Sequence, residues 1–344
     1  MTRGATPGAR SSATPGARGA LATIVVPAFD AEATILRAVR SALAQTAPVE
    51  VVVVDDASRD RTAELAALEA RSASRLRLVR QERNRGPSAA RNAAIAASSA
   101  PWIALLDADD WLAPDRIERL LAIAEGGAWD FVADDVLQLG ESNLAATPRR
   151  LWSDEDFGLQ EIRLRDFVLA NISGRRGRRR ELGFVKPMMR RSFLQKHGLS
   201  YDETLRLGED YDLYARALAR GARFGLVDPL GYYAVARRSS LSGAHATADL
   251  EALLRSDRRL LQERGLSRAE RAAVRRHVLT VHKEWAWRRL IDAVKARDAA
   301  DAARCFLAPA PVAGVLAARL AEQAWLRAGR RLRQPRAAFG DRAR

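Results

Sequence analysis

Residues 49–58, VEVVVVDDAS, constrain the fold more than any other stretch: β-branched side chains run almost unbroken into a pair of aspartates. A strand with one wet face alternates apolar and polar residues. A near-continuous β-branched run is instead the pattern of a strand covered on both faces, as in parallel sheets flanked by helices. The surrounding sequence repeats that plan. Residues 21–29 (LATIVVPAF) are an apolar run closed by Pro27, and residues 32–45 place Ile35, Leu36, Val39 and Leu43 near helical spacing. Residues 61–73 read as a second helix, 76–81 (LRLVRQ) as a third strand, and 86–98 as a helix with Pro87 in its first turn. Residues 101–110 (PWIALLDADD) are a fourth strand. Strand–helix alternation at these spacings predicts an α/β, Rossmann-like, mostly parallel sheet with right-handed crossovers.

In such a sheet, ligands bind beyond the carboxyl ends of the strands. Acidic residues collect at that edge: Asp30 after strand one, Asp55 and Asp56 after strand two, and Asp107, Asp109 and Asp110 after strand four. Carboxylates this close repel one another. A hard divalent cation with oxygen ligands, Mg²⁺ or Mn²⁺, makes the arrangement tolerable, and such a cation normally arrives with a diphosphate. Each stretch alone also has a plainer reading. Asp55–Asp56 is then a solvated turn, DADD a helix N-cap cluster, and Glu209–Asp210 surface charge. Asp115, after Pro114, is given the capping role and left out of the site.

Taken together and in order, TIVVPAFDAEATILRAVRSALAQ, VEVVVVDDASRDRT, NRGPSAARNAAI, IALLDADDWLAPDRIE and LGEDYDLYARALARGARF resemble the successive motifs of family 2 glycosyltransferases of the GT-A fold. The resemblance spans roughly residues 21–242. It implies a GT-A domain over 21–245, with a nucleotide-binding half (21–115) and an acceptor half (116–245). It further implies an inverting transferase that moves a sugar from a nucleotide sugar, expected to be a UDP-sugar, to a hydroxyl of a glycan or lipid-linked glycan, as in assembly of exopolysaccharides of the succinoglycan type. By resemblance, Pro27, Ala28 and Phe29 line the nucleotide with backbone, and Asp56 accepts hydrogen bonds from the base. Asp30 stands where the family more often has Asn, followed by Glu32. Asn84, Arg85, Gly86 and Arg91 close over the nucleotide. Asp107, followed by Ala108, is the ribose- or base-proximal carboxylate, and Asp109 is the metal ligand, with Asp110 a candidate second ligand. Asp210 is the general base and Glu209 orients the acceptor. His245 is a candidate further ligand; Arg237, Arg238 and Ser240 are candidates for a loop over the phosphates. Trp111 is read as core or as a wall of the sugar pocket. A protein- or lipopolysaccharide-glycosylating enzyme of the same fold is the alternative.

Composition bears on the remainder. The net charge is +15, which brings nucleic acid into consideration. Residues 249–344 hold 22 Lys/Arg against 11 Asp/Glu, so +11 of that charge lies in the last third. A nucleic-acid-binding protein would leave the ordered acidic edge unexplained, and no nucleic acid is expected. An anionic membrane surface attracts the same segment. Residues 246–344 read as a basic helical region whose Trp285, Trp287 and Trp325 among arginines suit either interfacial helices or packing on the catalytic domain. The arginines of residues 173–182 read as a solvated loop or as a loop attracted to acceptor phosphate. Residues 1–20 read as a disordered tail. One cysteine, Cys305, excludes an internal disulfide and fits a reducing cytoplasm. The expected location is cytoplasmic, with peripheral attachment at the inner face of the membrane.

Overall fold

The computed structural model describes residues 19–172, 181–236 and 246–333, with side chains up to 326 in the last stretch. His245, Arg237, Arg238, Ser240, the arginines of 173–180 and most of the expected N-terminal tail lie outside the described residues. The chain divides into two compact units, residues 1–243 and 244–344.

The first unit begins as the β-branched runs dictate. Strands β1 (Ala22–Ala28), β2 (Val49–Asp55), β3 (Leu76–Arg80) and β4 (Trp102–Leu105) are joined by helices α1 (Ile35–Leu43), α2 (Thr62–Ser72) and α3 (Pro87–Ala96). The four strands pair in parallel in the order β3-β2-β1-β4. Every residue of β2 is buried, as a run covered on both faces requires. Successive connections therefore leave β1 in opposite directions, toward β2 and later toward β4. That reversal makes a topological switch point. Pairing of β1 with β4 stops at Val25, whereas pairing with β2 continues to Ala28. The crevice opens there, and residues 106–110 emerge into it.

The strands that follow depart from the parallel pattern. After β5 (Trp111–Leu112) and helix α4 (Arg116–Gly127) come β6 (Phe131–Asp134), β7 (Leu137–Gly140), β8 (Arg149–Arg150) and β9 (Gln160–Ile162). Helix α5 (Leu164–Ala170), β10 (Met188–Arg190), α6 (Arg191–Lys196), α7 (Glu209–Ala219), β11 (Phe224–Val227) and β12 (Tyr232–Ala236) complete the unit. The main sheet has eight strands, ordered β3-β2-β1-β4-β10-β6-β11-β9, in which β10 and β9 run antiparallel to their neighbours. A second sheet, β5-β12-β7-β8, has four. The packing of α5, α7, β6 and β11 rests on Phe131, Phe167, Tyr214 and Phe224, ring centroids 5.8–6.4 Å apart.

The second unit is helical: α8 (Thr247–Leu260), α9 (Arg268–Lys295), α10 (Ala299–Arg304) and α11 (Ala310–Arg333). Ser267 and Glu270 close a capping box at the start of α9. Helix α11 packs on α9 through Ala286, Leu290, Cys305, Val312 and Leu316. His277 Nδ1 and Asp257 Oδ2 lie 2.8 Å apart, both buried. No described helix is long and apolar enough to cross a membrane.

Candidate active site

The crevice between β1 and β4 gathers carboxylates from distant parts of the chain around two buried cations. Asp107 follows β4. Its Oδ1 accepts from Arg91 of α3 and its Oδ2 lies against the Lys186 ammonium, both at 2.9 Å. Lys186 also donates to Asp210 Oδ2 at 2.8 Å. Arg91 donates to Glu209 Oε1 at 2.9 Å and comes within 3.5 Å of Asp210 Oδ1. Glu209 and Asp210 open α7, where negative side chains meet the positive end of the helix dipole. Tyr201 completes the ring, donating its hydroxyl to Asp210 Oδ1 at 3.2 Å. Asn92, one residue after Arg91, pins the Tyr201 backbone with two hydrogen bonds.

Each charge depends on the others. Burial alone would push the carboxyl of Asp107 up, but Lys186 and Arg91 hold it well below the usual carboxylate range. Burial likewise opposes charge on Lys186 and Arg91, yet Asp107 and Asp210 keep both cations protonated above their ordinary ranges. Asp110 behaves differently. It is buried, accepts from Tyr232 Oη at 2.8 Å and from the Val235 amide at 2.9 Å, and pairs with no cation among the described residues. Burial, then the charges of Asp107 and Asp109, push its carboxyl up to about 8. Asp110 is thus tied to the β12 side of the crevice by the two hydrogen bonds that it accepts. The Tyr232 hydroxyl also accepts the Asp107 amide at 3.1 Å, so one phenol sets both ends of the DADD turn.

The turn is fixed further by Arg37, which donates to the Asp109 carbonyl at 2.6 Å and lies over the Trp111 ring, 4.3 Å from its centroid. Trp111 stacks on Tyr233 with centroids 5.2 Å apart. Asp109 itself is half-buried at the crevice. Among the described residues no three His, Cys, Asp or Glu side chains form a metal cage. A Mg²⁺ or Mn²⁺ ion that retains waters and phosphate oxygens needs only one or two protein carboxylates. The oxygen donor of Asp109, next to Asp107, fits that mode of binding.

The first two turns are organised by other acidic residues. Asp56 is buried, and its oxygens accept the amides of Arg85 and Gly86 at 2.8 and 2.7 Å. Gly86 takes a φ of 88° as it opens α3, a conformation that favours glycine. Asp56 therefore fixes the loop that carries exposed Asn84, and a carboxylate has lone pairs left for further donors. Asp30, at a φ of 46°, accepts the Arg59 amide, and Glu32 accepts the Arg61 amide. These two side chains staple the turn after β1 to the loop before α2. Pro27 and Ala28 end β1, Phe29 is 40% exposed beside them, and Ala108 is buried. Arg91, expected to close over a nucleotide, instead points inward from α3 and is only 3% exposed.

Lys186, Tyr201 and Tyr232 are absent from the sequence-based site. Lys186 carried a signal: it is the one charged residue in the apolar segment 182–189, LGFVKPMM. Its main chain is held by a fully buried pair, in which Arg116 donates to Asp134 Oδ1 at 2.9 and 2.7 Å and to the Lys186 carbonyl at 2.8 Å. Asp134 Oδ2 accepts the amides of Leu230 and Tyr232. One ion pair thus supports both Lys186 and Tyr232. Arg116→Met should lower the unfolding free energy by about 3–5 kcal/mol, because it strands a buried carboxylate. Urea denaturation measures it, and a loss below about 1 kcal/mol would contradict this support.

Comparison with known proteins places the chain in a family. The sequence profile of "Glycosyl transferase family 2" matches residues 23–183. The chain is 48% identical to the succinoglycan biosynthesis protein ExoU of Rhizobium meliloti (strain 1021) over 272 residues, 78% of each chain. The chain belongs to glycosyltransferase family 2. A second relative, the succinoglycan biosynthesis protein ExoO of the same organism, is 36% identical over 83% of this chain and 81% of its own. Among solved structures, residues 1–349 of S. aureus TarS in complex with UDP-GlcNAc superpose with a TM-score of 0.61 at 18% identity, covering 82% of this chain and 89% of that TarS fragment. The mannosyltransferase PcManGT from Pyrobaculum calidifontis, in complex with GDP-Man and Mn²⁺, gives 0.54 at 19% identity, covering 90% and 82%. At such identities the likeness establishes the fold, which is GT-A. The protein is a family 2 glycosyltransferase.

Proposed function

We propose that this glycosyltransferase acts with inversion, moving a sugar from a UDP-sugar to a hydroxyl of a growing exopolysaccharide unit carried on a lipid. One observation carries the reading: Asp107, on the nucleotide-binding half, and Asp210, on the acceptor half, contact the same ammonium at 2.9 and 2.8 Å. The donor side and the acceptor side of the reaction therefore meet within one charged cluster. Both relatives named above are succinoglycan biosynthesis proteins, and TarS was solved with UDP-GlcNAc.

Pro27 to Phe29 and the loop fixed by Asp56 bound the nucleotide. Asp30 and Glu32 shape that wall through the neighbouring loop, and Gly86 and Arg91 shape it from α3. Asp107 receives ribose hydroxyls. Asp109 would hold the divalent ion, Mg²⁺ or Mn²⁺, which supplies charge stabilisation to the departing nucleoside diphosphate when bound. Asp210 accepts the proton of the attacking hydroxyl, and Glu209 orients that hydroxyl. A single displacement with one base gives inversion. His245 is proposed as a further ligand on position in the sequence alone. Transfer from radiolabelled UDP-sugars to membrane-derived acceptor tests the whole proposal; transfer from none of them, with activity from another nucleotide sugar, would reassign the donor.

The C-terminal unit supplies the proposed contact with an anionic membrane surface. Val294, Leu307 and Trp325 are 61, 85 and 75% exposed, in the stretch that carries +11 of the net charge. Apolar residues among arginines suit a bilayer interface. Vesicles of anionic lipid should sediment the protein at low salt and release it near ~1 M salt, where screening shortens to about 3 Å. Equal sedimentation by neutral vesicles would contradict an electrostatic contact.

A further inference from the structure

We infer that Lys186 is a positioning residue for sugar transfer: it holds Asp210 toward the acceptor and fixes its separation from Asp107. The inference rests on Asp210 being the base. Lys186 is 7% exposed, and its ammonium touches one carboxylate from each half of the site. A buried lysine with no partner would be strongly disfavoured, so the segment 182–189 would otherwise carry an apolar residue here. Its main chain is constrained twice, by Pro187 after it and by Arg116 on its carbonyl.

The contacts decide which function suffers if the ammonium is removed. Asp107 would keep Arg91 at 2.9 Å. Among the described residues, Asp210 would keep the Tyr201 hydroxyl at 3.2 Å and the 3.5 Å approach of Arg91. The loss therefore falls on the proton acceptor and appears in kcat, with the donor KM little changed. A lysine that merely filled the core would move stability and leave that split alone.

The test compares Lys186→Met, Lys186→Arg and Lys186→Ala with Asp210→Asn, using donor-saturation kinetics and thermal melts of the full chain. Lys186→Met should lower kcat by about 10²-fold or more and change the donor KM by less than about tenfold. Ethylammonium added to Lys186→Ala should restore kcat at least about tenfold, and should restore nothing to Asp210→Asn. If Lys186→Met does not melt cooperatively, Lys186→Arg carries the test because it keeps the buried charge. A donor KM raised more than tenfold at unchanged kcat, in either variant, would place Lys186 on the donor side and overturn the inference. So would a Lys186→Met enzyme with kcat within about threefold of wild type. Full turnover by Asp210→Asn is a different result: it would sink the base assignment itself, whatever Lys186 does.

Discussion

Asp210→Asn should lower glycosyl transfer by roughly 10²–10⁴-fold, the usual contribution of a positioned general base. Asparagine keeps the size and polarity of the side chain but has no basic oxygen for the proton. Asp210 contacts Lys186 and Tyr201 of the acceptor half at 2.8 and 3.2 Å and Arg91 of the nucleotide-binding half only at 3.5 Å, while Arg91 keeps its own 2.9 Å bond to Asp107. UDP affinity should therefore change by less than about tenfold, or 1.4 kcal/mol. Glu209→Gln should be milder, since among the described cations Glu209 pairs with Arg91, and it is assigned orientation. Turnover of Asp210→Asn near the wild-type rate would send the proton elsewhere.

The second large effect is expected at Asp109. Asp109→Ala should weaken UDP binding in the presence of Mn²⁺ by at least about 10–100-fold, the loss that even an outer-sphere partner of a metal commonly produces. The physical reason is electrostatic. Asp107, Asp109 and Asp110 crowd the crevice, and the charges of Asp107 and Asp109 already help push Asp110 up to about 8. A bare diphosphate adds more negative charge to that edge. Thermal shift with UDP, with and without Mn²⁺, reads the effect, and an unchanged shift in Asp109→Ala would remove that residue from the metal.

Long β-branched runs made half of this fold legible. VEVVVV has the pattern of a doubly covered strand, and the strands around it followed from apolar runs between helical spacings, so the DADD turn fell at a predictable edge. The acceptor half lacked such signals. Strands β8, β9 and β10 have two or three residues each, too few for any periodicity, and their antiparallel pairing depends on partners far along the chain. Lys186 and Tyr232 escaped for the same reason. Each sits in a short apolar segment, and only the tertiary fold brings them 79 and 125 residues in sequence from Asp107 into its first contacts. Arg91 lies in the helix expected over 86–98, and only the tertiary fold brings its guanidinium onto Asp107 and Glu209.

The measurement that bears most directly on the account is a calorimetric titration of UDP into Asp210→Asn, once with Mn²⁺ and once with EDTA. Separate donor and base roles predict near-wild-type affinity with Mn²⁺ and a loss of binding in EDTA. Affinity that survives EDTA undiminished, or that collapses in Asp210→Asn with Mn²⁺ present, would contradict it.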